Sequence, residues 1–441
     1  MRPALFLLLF LSIACQTQKP ATNDPFAWQV SEVLKAINPP TFTDKTFPVD
    51  ASGNFQKAVN EAIDACHRAG GGRVVVPAGE HVCNGPIRLL SNVNLHLSEG
   101  TTIRFGTNPA NYLPVVKVRW EGTVCYNYSP LIHASGQHNI AITGRGTLDG
   151  QADKFWFAWK KQLDGNDQEL AKKMLRKMGE TGTPEAERVF GEGHKLRPSL
   201  IEFYECQNIL LDGFTAHQSP FWTIHPVFSK NLTIRNLTIG HGTTNDDGID
   251  PDSCEDVLIE NCRIDTDDDP ISLKAGRDQD AWKRPGTRNV VVRNCTLRSN
   301  VGNGFCIGSE MSGGVERVWI DNCTISLADH GLNIKANLDR GGFVRDVWVR
   351  NVRMDSCRRA AIRMQMDYHS YRGGNFPPDF DRIIVEKINV RAVRDYGWWL
   401  VGVPAKPIGQ IVLRNVTVGR SGKGNEVKLA DINVLDTDQP K

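Results

Sequence analysis

Acidic residues gather at two places in the chain, Asn245-Asp246-Asp247-Gly248 and Asp267-Asp268-Asp269, with Asp268 lying 21 positions after Asp247. If each group follows a strand and the strands stack, Asp247 comes within several ångströms of the Asp268 and Asp269 pair. Crowded carboxylates repel, so one keeps its proton to higher pH while another stays ionised. That division suits glycosidic cleavage, in which a protonated carboxyl gives its proton to the leaving oxygen and an ionised one activates water. The same residues admit two other readings. Asx side chains favour tight turns, and Asp246, Asp247, Asp250 and Asp252 offer oxygen ligands to calcium, although their spacing is not that of an EF-hand loop.

Positioning such a cluster requires a repeating fold, and the chain repeats. Short aliphatic, β-branched runs begin at Asn208, Asn231, Asp256, Asn289, Arg317, Asp346, Arg382 and Gln410, with steps of 23, 25, 33, 28, 29, 36 and 28 residues. Five positions after the start stand Asn236, Asn261, Asn294, Asn322, Asn351 and Asn415. Periodicity with loop-sized variation marks a solenoid. Strand-forming runs with Gly, Asn and Asp turns exclude a helical one, which leaves an all-β, single-domain right-handed parallel β-helix. Coils then stack about 4.8 Å apart, so equal offsets form columns. The asparagines are expected as an inward ladder. Asn236, Asn294, Asn322 and Asn415 also begin Asn-x-Ser/Thr patterns, which an inward position would shield from glycosylation.

Weaker repeats at Asn92 and Asn139 extend the stack to about residues 73–430. Phe55, Ala58, Val59, Ala62, Ile63 and Cys66 follow helical spacing before Gly70-Gly71-Gly72, which predicts a helix capping the first coil. Between about 153 and 194 the repeat lapses into a charged helical stretch, read as an insertion forming one wall of a groove. The β-helix domain is placed at 41–441. Ahead of it, Arg2 and the apolar run Ala4–Leu11 form a signal-peptide core too short to span a bilayer. Ser12-Ile13-Ala14-Cys15 resembles a bacterial lipoprotein signal with Cys15 lipidated, so residues 1–15 are read as the signal and 16–40 as a polar tether. The protein is thus expected to be exported to the cell envelope, touching a membrane through that lipid alone. The other ten of the 11 cysteines show no zinc spacing and read as free buried thiols. A net charge of +2, with no basic run, argues against a nucleic-acid partner.

Three segments, Asn245–Cys254, Asp267–Arg277 and Gly302–Gly314, together with Arg119-Trp120-Glu121-Gly122, Asn127–Pro130 and Arg197-Pro198-Ser199, resemble the family 28 glycoside hydrolases, the polygalacturonases, in particular bacterial members. The resemblance implies the same β-helix, inverting hydrolysis of galacturonosyl linkages in pectic polysaccharide, and no metal or cofactor. It implies Asp268 as general acid, Asp247 and Asp269 as the pair that holds and deprotonates water, and Lys335, in Asn333-Ile334-Lys335, as a substrate ligand. Asn245, Asn303, Lys274 and Arg277 complete the candidate substrate-binding set. Two departures stand out. The family's Gly-His-Gly is Gly302-Asn303-Gly304, and its Arg-Ile-Lys is Asn333-Ile334-Lys335, which removes a planar fork suited to a sugar carboxylate. Asp267, where glycine is usual, is expected to add negative charge beside the acid. These changes shift the expected substrate toward branched or rhamnose-containing pectin.

Two rival functions fit the same architecture: a calcium-dependent polysaccharide lyase, and a catalytically decayed carbohydrate-binding β-helix. The chain is read as a monomer. His330 is a candidate for approaching the groove, whereas Trp222, Trp399 and Tyr368 read as packing residues. An inverting site further predicts acid and base carboxyls about 6.5–9.5 Å apart.

Overall fold

The computed structural model describes residues 24–161, 167–369 and 371–437. They form the expected right-handed parallel β-helix, with strands wound into three sheets. In the first sheet Val74 lies beside Leu95, Leu95 beside Ile142, and the column continues through Leu211, Ile234, Ile259, Val292, Ile320, Val349, Val385 and Leu413. Every member is buried. Each coil is therefore covered by its neighbours, and aliphatic contact along the axis carries the stack. The second sheet contains Thr101–Phe105, Thr147–Asp149, Arg263–Thr266 and Thr296–Ser299. The third runs through Ile132–Ser135, Ile201–Tyr204 and Ile224–Val227, resuming at Phe305–Gly308.

The shared first residue of the repeats has a conformational cause. Asn208, Asn231, Asp256, Asn289, Arg317, Asp346 and Arg382 have φ between 52° and 59°, the left-handed region that Asn and Asp tolerate best. The second asparagine column is left-handed as well, but it faces solvent, not inward. Asn236, Asn261, Asn294, Asn322, Asn351 and Asn415 are all exposed. The ladder persists there: Asn322 Nδ2 donates to Asn294 Oδ1 at 2.8 Å and Asn294 Nδ2 to Asn261 Oδ1 at 3.2 Å. Burial therefore does not shield the four glycosylation patterns. The thiols are inward as expected, with Cys262, Cys295 and Cys323 free and buried.

The capping helix spans Phe55–Arg68, with Asn54 accepting the Lys57 N–H at 3.0 Å and Val59, Ile63 and Cys66 fully buried. The insertion contains a helix at Gln168–Glu180 capped by Asp167. Residues 25–34, assigned above to a polar tether, form a helix, Pro25–Leu34, on the outside of the first sheet. Phe26, Val33 and Ile37 pack on Leu258, Val291 and Trp319, and Trp319 Nε1 donates to Gln29 Oε1 at 3.0 Å. The apolar stripe at Phe26, Val30, Val33 and Leu34 carries that docking, which the polar residues just before it obscure. Cys15 and residues 1–23 lie outside the described residues. No described helix is long and apolar enough to cross a membrane. Ile63, on the inner face of the capping helix, is fully buried, so Ile63→Ala should cost about 2–5 kcal/mol; urea unfolding would show a lower midpoint at unchanged slope.

Candidate active site

The third sheet is interrupted where the acids lie. Between Ile224–Val227 and Phe305–Gly308 it narrows to bridges linking Ile224, Ile249 and Ile271, and Asp252 with Lys274, beside the two-residue strand Ser272–Leu273. Asp247 sits two residues before one of these bridges and Asp269 two before the next. Both occupy the turn from the second sheet to the third. Asp246, the neighbour of Asp247, builds that turn: it accepts the N–H groups of Gly242 at 2.7 Å, Asp267 at 3.1 Å and Asp268 at 2.9 Å. Gly302 passes so close behind that a Cβ on it would lie 2.5 Å from the carbonyl carbon of Asp268. No side chain fits there without displacing the acids.

One carboxylate oxygen from each of Asp247, Asp268 and Asp269 lies within 4.8 Å of the others. That figure is the nearest approach of single oxygens, not the spacing of whole carboxyl groups: Asp268 and Asp269 are neighbours in the chain, and Asp247 stands one coil, about 4.8 Å, away. Asp247 and Asp269 are 3% and 1% exposed, and Asp268 is half-buried. Lys274 Nζ reaches Asp247 at 3.3 Å and Lys335 Nζ reaches Asp269 at 2.9 Å. Burial pushes the Asp268 carboxyl up to about 6, helped by the charge of Asp269. Burial opposes ionisation of Asp269 too, but Lys335 and Lys274 outweigh it and hold that carboxyl below its ordinary value. Asp247 is pushed up, burial exceeding the pull of Lys274. Asp250, fully buried with neither oxygen hydrogen-bonded, is raised by burial as well.

The acids open into a cavity of about 190 Å³, whose walls include Glu121, Lys172, Arg176, Trp222, Glu310, Arg340 and Tyr368. Of the substrate-binding candidates, Lys335, Lys274, Arg277 and Asn245 lie on its wall. Asn245 Oδ1 is taken by Arg197 Nη2 at 2.9 Å. Arg277 pairs with Glu310 at 2.5 Å, and its N–H and Nε donate to the carbonyls of Gly122 and Glu121, each at 3.0 Å. The Arg119–Gly122 motif thus positions Arg277. Asn303 lies behind Asp269, to which its backbone N–H and Nδ2 donate at 2.7 and 2.6 Å.

His330 is buried and pushed down to about 3 by desolvation and nearby arginines, so it is neutral. Asp267 accepts Asn300 Nδ2 at 2.8 Å, and the carboxylates that raise Asp268 include Asp269 and Asp246. Sequence reasoning missed Lys172 and Arg176, which lie four residues apart on the insertion helix; Arg176 donates to Glu121 at 2.5 Å. The amphipathic period gave the helix a face but not its docking place. Trp222 and Tyr368, taken as packing residues, hold the lysines from behind, with Lys274 Nζ 4.5 Å from one ring centroid and Lys335 Nζ 5.2 Å from the other. A larger groove of about 570 Å³, walled by Trp28, Trp319 and Trp348, lies on the outer surface of the first sheet and contains none of these acids.

Comparison with known proteins places this arrangement. Residues 182–433 match the family described as Glycosyl hydrolases family 28. A probable polygalacturonase of Vitis vinifera is 29% identical over 85% of this chain and 72% of its own. The crystal structure of a hyperthermoactive exopolygalacturonase from Thermotoga maritima superposes with a TM-score of 0.88 at 33% identity, covering 94% of this chain and 97% of that one. The polygalacturonase from Erwinia carotovora ssp. carotovora shares the fold, with a TM-score of 0.69 at 24% identity over 90% of this chain and 97% of its own. The match to more than half of the sequence, carried on the same β-helix, establishes that the chain belongs to glycosyl hydrolases family 28 and is a glycoside hydrolase.

Proposed function

We propose that this hydrolase cleaves galacturonosyl bonds of pectic polysaccharide, one sugar at a time from a chain end and with inversion. The observation that carries the reading is a three-carboxylate, two-lysine cluster at the bottom of a small cavity with the insertion helix as one wall. About 190 Å³ is below the roughly 300 Å³ of an ordinary ligand pocket, which suits one sugar ring better than a long polymer. The name of the Thermotoga maritima relative, an exopolygalacturonase, supports the same mode.

Asp268, raised and half-buried, gives its proton to the leaving glycosidic oxygen. Asp269, ionised beside Lys335, takes a proton from the attacking water, which Asp247 helps to hold. Lys172, Arg176, Lys274, Arg277, Lys335 and Arg340 line the cavity against the carboxylates of Glu121, Asp247, Asp268, Asp269 and Glu310, and leave a small net positive field where arginine at position 333 would have added one. That field favours an anionic galacturonan over the branched substrates expected from the departures at Asn303 and Asn333. A calcium-dependent lyase is disfavoured on charge grounds, because the ammonium groups of Lys274 and Lys335 already occupy positions against the carboxylates where a divalent cation would sit. Export with a lipid on Cys15 belongs to the same proposal and rests on the amino-terminal sequence. Action as a monomer is part of it also.

Asp268→Asn should lower turnover on polygalacturonate at least about a hundredfold, the scale of a lost general acid; an unchanged rate would overturn the assignment. Because the acid must be protonated to act, kcat/KM should fall about tenfold per pH unit above about 6 as Asp268 ionises. A proton NMR time course on oligogalacturonides should show the inverted anomer first and free galacturonic acid as the product. Retention of configuration would refute the water-attack geometry, and early appearance of mid-length oligomers would refute chain-end action.

A further inference from the structure

Asn333 stands one coil beyond Asn303 and is 2% exposed. Its Nδ2 donates to Asn303 Oδ1 at 3.0 Å, while its own Oδ1 is buried without a partner. Leaving a buried acceptor unpaired costs about 1–3 kcal/mol, so the donor half of this amide is the part that functions. Asn303 carries that donation onward through the two N–H groups it directs at Asp269 Oδ1. A terminal amide can turn either end toward a carboxylate, and only the NH2 end attracts it. A donor fixed on Oδ1 selects that end: with the amide reversed, oxygen would face oxygen at Asp269 and NH2 would face NH2 at Asn333.

We propose that Asn333 is a positioning residue for the hydrolytic step, acting through Asn303 to hold the donor face of that amide on the carboxylate of Asp269. The proposal rests on Asp269 being the base, as argued above. It also gives the two departures from the family pattern a joint meaning, since an amide relay occupies both altered positions. The groups facing Asp269 are Asp247, Asp268, Lys274 and Lys335, with Cys306, His330 and Tyr368 around them. His330 is neutral there, so the carboxylates set the acidic side of the activity profile.

The test compares Asn333→Leu, which fills the site without a donor, and Asn333→Ser, which keeps a hydroxyl, in the full chain on oligogalacturonides. Circular dichroism checks that each is folded. Loss of the relay should move the acidic limb of kcat/KM up by about one pH unit and lower kcat about tenfold, with KM within about twofold. Asn333→Ser should lie between Asn333→Leu and the native chain. Asp269→Asn is measured in parallel. Inactive Asp269→Asn with both folded Asn333 variants keeping the native profile overturns the relay alone. Should Asp269→Asn keep turnover, the base assignment falls and the relay falls with it.

Discussion

Three carboxylates can share one small pocket only because two ammonium groups sit among them. Like charges at the observed limit of 4.8 Å repel by about 3.5 kcal/mol each at an effective dielectric constant near 20. Several such terms would consume much of the roughly 5–15 kcal/mol that stabilises a domain. Lys274 on Asp247 and Lys335 on Asp269 offset part of that cost, and the remainder appears in the raised carboxyls of Asp247 and Asp268. The uneven sharing of charge that holds the pocket together is also the division that the proposed proton donor and proton acceptor require.

The lysines are held as firmly as the acids. Lys274 comes from the edge of the third sheet, where it bridges to Asp252. Asp252 accepts Arg119 Nη1 at 3.0 Å and the Gly276 N–H at 2.9 Å. Gly276 leaves room for that guanidinium, since a Cβ there would lie 1.6 Å from Arg119 Nη2. His225 lies against the same carboxylate, with Nε2 3.4 Å from Asp252 and Nδ1 3.3 Å from Glu202. Removing one partner from such a buried network leaves a charge without compensation, which makes the network a rigid support behind the cavity wall.

The acids were legible in the sequence because the distance from Asp247 to Asp268 equals about one coil, and a repeat turns that spacing into contact. The coils themselves were legible for the same reason. Sequence periodicity fixes which residues share a column, but not always the side on which the column lies. The exposed asparagines have the same spacing as an inward ladder would. Arg176 and Lys172 were hidden for a related reason: their contacts lie far away in the chain, at Glu121 and in the cavity, and local pattern contains nothing about docking.

The lining of the cavity ends at His369, yet the stack continues through Asp379–Val390, Ile408–Val418 and Ala430–Leu435. These turns pair with the turn before and the turn after and contribute no residue to the cavity wall. Size and catalysis are therefore separately adjustable in this molecule. Whole windings added or removed at the far end would alter its length while leaving the acid cluster as it is.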